Sequence, residues 1–267
     1  MHSLAFNRHV GSLFALLTCM IFSLVVGNTV YSKPKKKRKK QVAKLEAAPP
    51  VLPKRLTPLS ATQQAGLAAI RVDPEPESIV RNSHYWVSNE HNHQLWKSYI
   101  QGIGGALIGV GTDQNYLLAG WMKPSLLLLM DFDGEIPKLH EIYKFFFEIS
   151  DTPERFISRW ERKYADDSIE KLTAYFSSKS NGENQRWVKR RVKMYKVTRG
   201  LLYRRLKKTL KKYRSLNIKT FLDDPEQYQY LRELWATGRV RALRGDLTAN
   251  DTTVSYTHLT LPTNREV

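Results

Sequence analysis

GGALIGVGTDQNYLLAGWMKPSLLLLMDFD, residues 104–133, carries the topology of this chain. It reads as a short apolar strand, a Gly-Val-Gly turn, a short helix, a second apolar strand and then an acid. That order builds a nucleotide pocket in a doubly wound α/β sheet. Gly109 and Gly111 let the backbone turn tightly and approach a ligand. A helix opening near Asp113 directs free amides at the crevice. Asp131 lies 22 residues after Gly109, the interval at which such folds place a carboxylate for a ribose hydroxyl pair.

The flanking sequence extends this pattern. YWVSNE (85–90) leads into a helical segment ending near Gly102, with Ser88 or Asn89 as its N-cap. The first strand is expected over 106–108, and a helix over 113–122 is stopped by Lys123-Pro124. The run 126–130 shows no alternation, as a parallel strand covered on both faces requires. Pro137 fits the first turn of a helix whose apolar face is Leu139, Ile142, Tyr143, Phe146 and Ile149. Another helix is expected over 152–164. A long basic helix follows over 184–214, where Val188, Val192, Tyr195, Leu202, Leu206 and Tyr213 recur at three- and four-residue steps, interrupted by Arg199. A final helix over 225–236 precedes a strand over 240–243, closed by Gly245-Asp246.

With 267 residues, 42% of them hydrophobic, the chain can hold one sizeable domain plus tails. Its one cysteine, Cys19, falls in an N-terminal apolar run, so neither a disulfide framework nor a thiolate metal site is available to the folded part. The net charge of +18 is local. Eight basic residues lie between Lys33 and Lys44 and fifteen between Arg186 and Lys219, with no acid in either stretch. Removing these from the 43 basic residues leaves 20 against 25 acids, so the rest of the chain is mildly acidic.

The ends are expected to stand outside the fold. VGSLFALLTCMIFSLVV (10–26) reads as a signal peptide or a single membrane anchor, and residues 1–32 are assigned to it. Leu16-Leu17-Thr18-Cys19 resembles a lipoprotein box, but Thr18 is a poor residue before the cysteine. KPKKKRKK (33–40), opening on Lys33 and closing on Lys40, would attract an anionic membrane surface. Positive charge there also resists translocation, so an uncleaved anchor and export both stay open. Residues 33–76 read as a basic, Pro/Ala-rich linker and 77–253 as the domain. VSYTHLTLPT (254–263) resembles the translation of a common transposase sequencing adapter. Residues 254–267 are therefore expected to be read-through that replaces native C-terminal strands.

Taken together, Ser88-Asn89-Glu90, Ile108-Gly109-Val110-Gly111, Asp113-Gln114-Asn115, Asp131, His140, Tyr143, the run FEIS (147–150) and Gly245-Asp246-Leu247 carry a resemblance. The chain resembles an uncharacterised bacterial family with a class I, S-adenosylmethionine-dependent methyltransferase-like fold. The resemblance covers residues 85–248 and implies a doubly wound, mostly parallel sheet. It implies that Gly109 and Gly111, with Asp113 and Asn115 beyond them, pass beneath the methionine moiety of S-adenosylmethionine. Asp131, backed by Asp133, would take the ribose hydroxyls, Asp246 would sit near the adenine amino group, and Asn89 and Glu90 could reach over the pocket. Such methyltransferases carry an acid just before the first glycine, where this chain has Leu107 and Ile108. Asp113 or Glu90 could substitute for it. The fourth strand, whose tip bears acceptor-side residues, is expected beyond residue 253.

The function expected is that of an S-adenosylmethionine-binding, methyltransferase-like protein of membrane or envelope, with no acceptor identified. The alternative is a non-catalytic scaffold on the same fold, and a dinucleotide-dependent oxidoreductase comes third. A lone helix histidine such as His140 usually serves local hydrogen bonding. His84, His91 and His93 suggest a metal cluster, but the i,i+2 pair His91 and His93 would diverge on a helix, with no carboxylate spaced to complete a site. The basic helix could neutralise phosphates. However, Trp187, Tyr195 and Tyr203 serve as easily in a core, so a solvated or lipid-facing helix is expected and nucleic acid is not.

Overall fold

The structure, a computed structural model, describes residues 56–79, 82–180 and 184–247. The apolar run at 10–26, the basic run at 33–40 and the tail from Val254 lie outside them. All described residues fall in the second of two compact units, 51–267. Along this unit run α1 (Ala61–Ala68), α2 (Gln94–Ile100), β1 (Ala106–Val110), α3 (Asp113–Met122), β2 (Leu126–Asp131), α4 (Glu135–Ile149) and α5 (Pro153–Ser158). After a 3-10 turn (Arg162–Tyr164) come α6 (Ala165–Lys179), α7 (Gln185–Ser215), α8 (Pro225–Ala236) and β3 (Val240–Arg244).

The result is a mixed α/β fold on a three-stranded parallel sheet of order β1-β2-β3. Ala106 pairs with Leu126 and Val110 with Met130, while Leu127 pairs with Val240 and Asp131 with Arg244. Central β2 is buried along its whole length, which is why its sequence is an unbroken apolar run. Its side chains divide by parity. Leu127 and Leu129 enter the main core with residues of α3, α4 and α8, whereas Leu126 and Leu128 join Leu243 on the opposite face. Because strand order advances in one direction, crossovers of one hand deliver their helices to one side. On the opposite face, where a doubly wound sheet carries its second helical layer, the described residues place the short helix α1 and the segment around it.

Part of the stretch expected to be linker occupies that second face. Leu59, Leu67 and Ile70 are buried against Leu126, Leu128 and Leu243. Helix α1 opens with a capping box: the Gln63 amide donates to Ser60 Oγ at 3.2 Å, and the Ser60 amide to Gln63 Oε1 at 3.0 Å. Three arginines around β3 fasten the segment. Arg239 Nε donates to Thr57 O (2.9 Å), Arg241 Nη2 to Ile70 O (3.1 Å) and Arg244 Nε to Asp73 O (2.8 Å). The Pro/Ala composition concealed this role because three apolar side chains suffice for a face so narrow. Ile108 and Val110 of β1 lie beyond the cover and stay more than a third exposed.

The opposite layer is aromatic. Leu139, Ile142, Tyr143 and Phe146 of α4 have no exposed surface, as their spacing requires. Phe147 stacks on Phe156 at 4.4 Å, and Phe146 meets Trp160 edge-on at 4.9 Å. The helix expected over 152–164 divides at this point. Tyr195 Oη and Ser168 Oγ both donate to Arg159 O, at 2.7 and 3.0 Å, taking a carbonyl that continued α-helix would need. Helix α7 realises the basic helix, with Asn184 Oδ1 accepting from the Trp187 amide at 2.9 Å as its cap.

Candidate functional site

At the carboxyl ends of β1 and β2 lies a cleft of about 470 Å3, lined by Val87, Ser88, Asn89, Glu90, Val110, Gly111, Gln114, Asp131, Phe132 and Asp133 among others. This volume suits a small molecule. The strand ends supply its floor. The segment 85–90 supplies its wall, because that stretch is irregular and not helical. The Ser88 amide donates to Asp113 Oδ1 (2.9 Å) and its hydroxyl meets Gln114 Oε1 (2.5 Å), which delays the helix expected there until Gln94.

The glycine turn is held from below. Gly111 has φ +81°, a conformation that L side chains rarely adopt. Its carbonyl accepts from His140 Nε2 and from Asn115 Nδ2, both at 3.0 Å. A carbonyl only accepts, so His140 carries its proton on Nε2 and its Nδ1 accepts from Tyr116 Oη at 2.8 Å. Burial lowers the His140 pKa to about 4, so the ring is neutral and braces the turn. Gly109 has a different reason to be glycine. A Cβ there would lie 2.1 Å from Asn115 Oδ1, so the Asn115 carboxamide already fills that space.

Asp113 also turns inward. It is 5% exposed and accepts from Arg205 Nε at 2.6 Å as well as from Ser88. The amino end of α3 is thus matched by a carboxylate of its own first turn.

Asp131 and Asp133 form the acidic end of the cleft. Burial raises the Asp131 carboxyl above its usual value; the amides of Asp133 and Gly111 pull it down, and the Asp133 charge pushes it up. Asp133 Oδ2 lies 2.7 Å from His84 Nδ1. A carboxylate accepts, so Nδ1 carries a proton and donates it to this bond, which leaves Nε2 as the ring's other polar atom. The His84 ring also rests against Trp86, with centroids 4.8 Å apart.

The structure therefore brings Asn89, Glu90, Gly111 and Asp131 to one cleft and sets Gly109, Asp113 and Asn115 behind its floor. Asp246 lies past β3, its amide donating to Asp73 Oδ2 at 2.8 Å, and does not line the cleft. The pairing of His84 with Asp133 escaped the sequence because the two are 49 residues apart and His84 lies in an irregular stretch without periodicity. Among the described residues no three His, Cys, Asp or Glu side chains converge to hold a metal ion.

In a chain of net charge +18, this cleft has Glu90, Asp131 and Asp133 on its wall and floor, and no Lys or Arg among its described lining residues. Carboxylates at such positions favour ligands that carry positive charge or donate hydrogen bonds. No curated protein matches the chain. A family model does, from residue 85 to residue 263, a stretch that takes in the cleft from Tyr85 onward and all three strands. The chain accordingly belongs to the family described as a domain of unknown function, DUF7790.

Proposed function

We propose that the cleft binds S-adenosylmethionine and that the protein is methyltransferase-like. The observation supporting this is the set of three carboxylates, with no Lys or Arg among the described lining residues, at the carboxyl edge of a parallel sheet. A ligand carrying a sulfonium, an ammonium and a ribose diol suits that surface. Asp131 would accept from the ribose hydroxyls. Glu90 and Asn89 would hold the amino-acid end, with Glu90 supplying the carboxylate missing before Gly109. Gly111, braced by His140, would give the ligand close approach to backbone. When bound, the cofactor supplies an already activated methyl group, so the protein chiefly positions the acceptor. His84, oriented by Asp133, would accept the acceptor's proton through Nε2.

A non-catalytic binding protein on the same fold is the second reading. The filling of the Gly109 position by Asn115 and the engagement of Asp113 by Arg205 favour it, since both remove ligand contacts. The dinucleotide reading loses support, because Asp113 occupies the first turn where a pyrophosphate would seat.

Calorimetric titration with S-adenosylmethionine and NAD tests the proposal. Micromolar binding of S-adenosylmethionine and none of NAD is expected, with binding lost in Asp131→Asn. That variant should melt at the parental temperature or above it. A carboxyl whose folded pKa is raised contributes stability at low pH and loses it as pH rises through that pKa, so at neutral pH the charge disfavours folding. Absence of heat from folded protein would refute the cofactor. His84→Ala that binds the cofactor normally yet transfers no methyl group would mark an enzyme.

A further inference from the structure

Helix α7 spans 31 residues, and its apolar stripe is consumed by the protein's own core: Val188, Tyr195, Leu202, Leu206 and Tyr213 are buried. Its opposite side is a ridge of charge. At about 100° per residue, Lys189, Lys193, Lys196, Arg204, Lys207 and Lys211 fall within about 80° of one another. All six are exposed. At about 1.5 Å per residue, the ridge is about 33 Å long. Among the described residues, no carboxylate forms an ion pair with any of the six. The cations of α7 that are paired, Arg191 with Glu141, Arg205 with Asp113 and Arg214 with Asp223, lie at or beyond its margins.

We infer that this ridge docks the folded unit on an anionic lipid surface. A row of unpaired like charges on one helix is unfavourable for the isolated fold, and a partner carrying the opposite charge relieves that cost. The ridge runs along one side of a single helix, a shape that can lie along a plane. Nucleic acid suits it less well. The helix turns its aromatic rings inward: Tyr195 is 0% and Tyr213 2% exposed, and Trp187 and Tyr203 pack on the core, leaving no stacking platform beside the charge. The exposed apolar side chain on that side is Val197, 62% accessible, small enough to enter a headgroup layer. The sequence points the same way, because the chain's other basic cluster, at 33–40, directly follows the uncharged apolar run at 10–26. This inference is independent of the cleft's ligand.

The test is flotation of the full chain with vesicles of phosphatidylcholine alone or containing about one-third phosphatidylglycerol, at about 0.1 M salt. The parent is expected to favour the anionic vesicles. A variant carrying Lys189→Gln, Lys193→Gln, Lys207→Gln and Lys211→Gln should bind them at least about tenfold more weakly, while its binding to neutral vesicles is unchanged. Lysine-to-arginine changes at the same four positions should keep parental binding. Circular dichroism and denaturant midpoints matching the parent establish that the glutamine variant is folded. Parental binding to anionic vesicles by that folded variant would overturn the inference and leave lipid attraction to residues 33–40. So would loss of affinity for an RNA oligonucleotide without loss for vesicles, which would identify a nucleic acid as the partner.

Discussion

Arg205 and Asp113 illustrate what one buried pair decides. Both are almost enclosed, at 12% and 5% exposed, so neither charge can be left alone. Arg205→Ala should cost about 3–5 kcal/mol, read as a lower denaturant midpoint with unchanged slope, and joint replacement by Asp113→Asn and Arg205→Met should recover most of it. Gly109→Ala should cost about 1–3 kcal/mol because Asn115 must leave its bonds to Val110 O and Gly111 O, and Asn115→Ala in the same chain should return part of the loss. His140 sets a pH dependence. Its folded pKa of about 4 lies below the ordinary 6.5, so the unfolded chain takes up a proton that the fold refuses. Its contribution is complete above pH 6.5 and falls by roughly 3 kcal/mol as pH drops toward 4. Buried His93, also lowered by burial, acts in the same direction. Denaturant midpoints between pH 7 and 4.5 should fall steeply for the parent and less so for His140→Gln. At this scale the sequence was a partial guide. It identified Gly109 as a position that rejects a side chain, but an internal carboxamide and an external ligand impose the same requirement.

Among the elements, α7 offers a change that stabilises. A Cβ at Gly200 would make ordinary contact, 3.6 Å from Arg204 Nη1, in the middle of a long helix. Gly200→Ala should therefore raise stability by about 0.5–1 kcal/mol, measured as a higher denaturant midpoint. The elements most legible in the sequence were those with both a stop signal and a strong period. Lys123-Pro124 ended α3 and Pro225 began α8 where they were expected. Helix α1 was not legible, since eight residues with one buried leucine have no measurable period, and its capping box is visible only once the helix is known. The break after α5 was equally hidden. It depends on the Tyr195 hydroxyl, 36 residues away in α7.

At the scale of the molecule, the three strands and the burial of the second on both sides could be read from the sequence, and what covers each face could not. Crossover helices account for one face. The other depends on a segment that composition alone assigns to a linker. Leu67→Ala should weaken this cover by about 2–4 kcal/mol and increase proteolysis in residues 56–79 before the rest of the fold yields. The cover also has a history in time. Its fastenings join Thr57 to Arg239 across 182 residues and Asp73 to Arg244 across 171. A ribosome adding about 5–20 residues per second would release the cover roughly 10–40 s before the arginines that hold it. From their own synthesis until that interval closes, Leu126 and Leu128 face a nascent chain with no fastened lid. The first part of the domain to be synthesised is the last to find its place, and in the cell that window is when a chaperone would have something to hold.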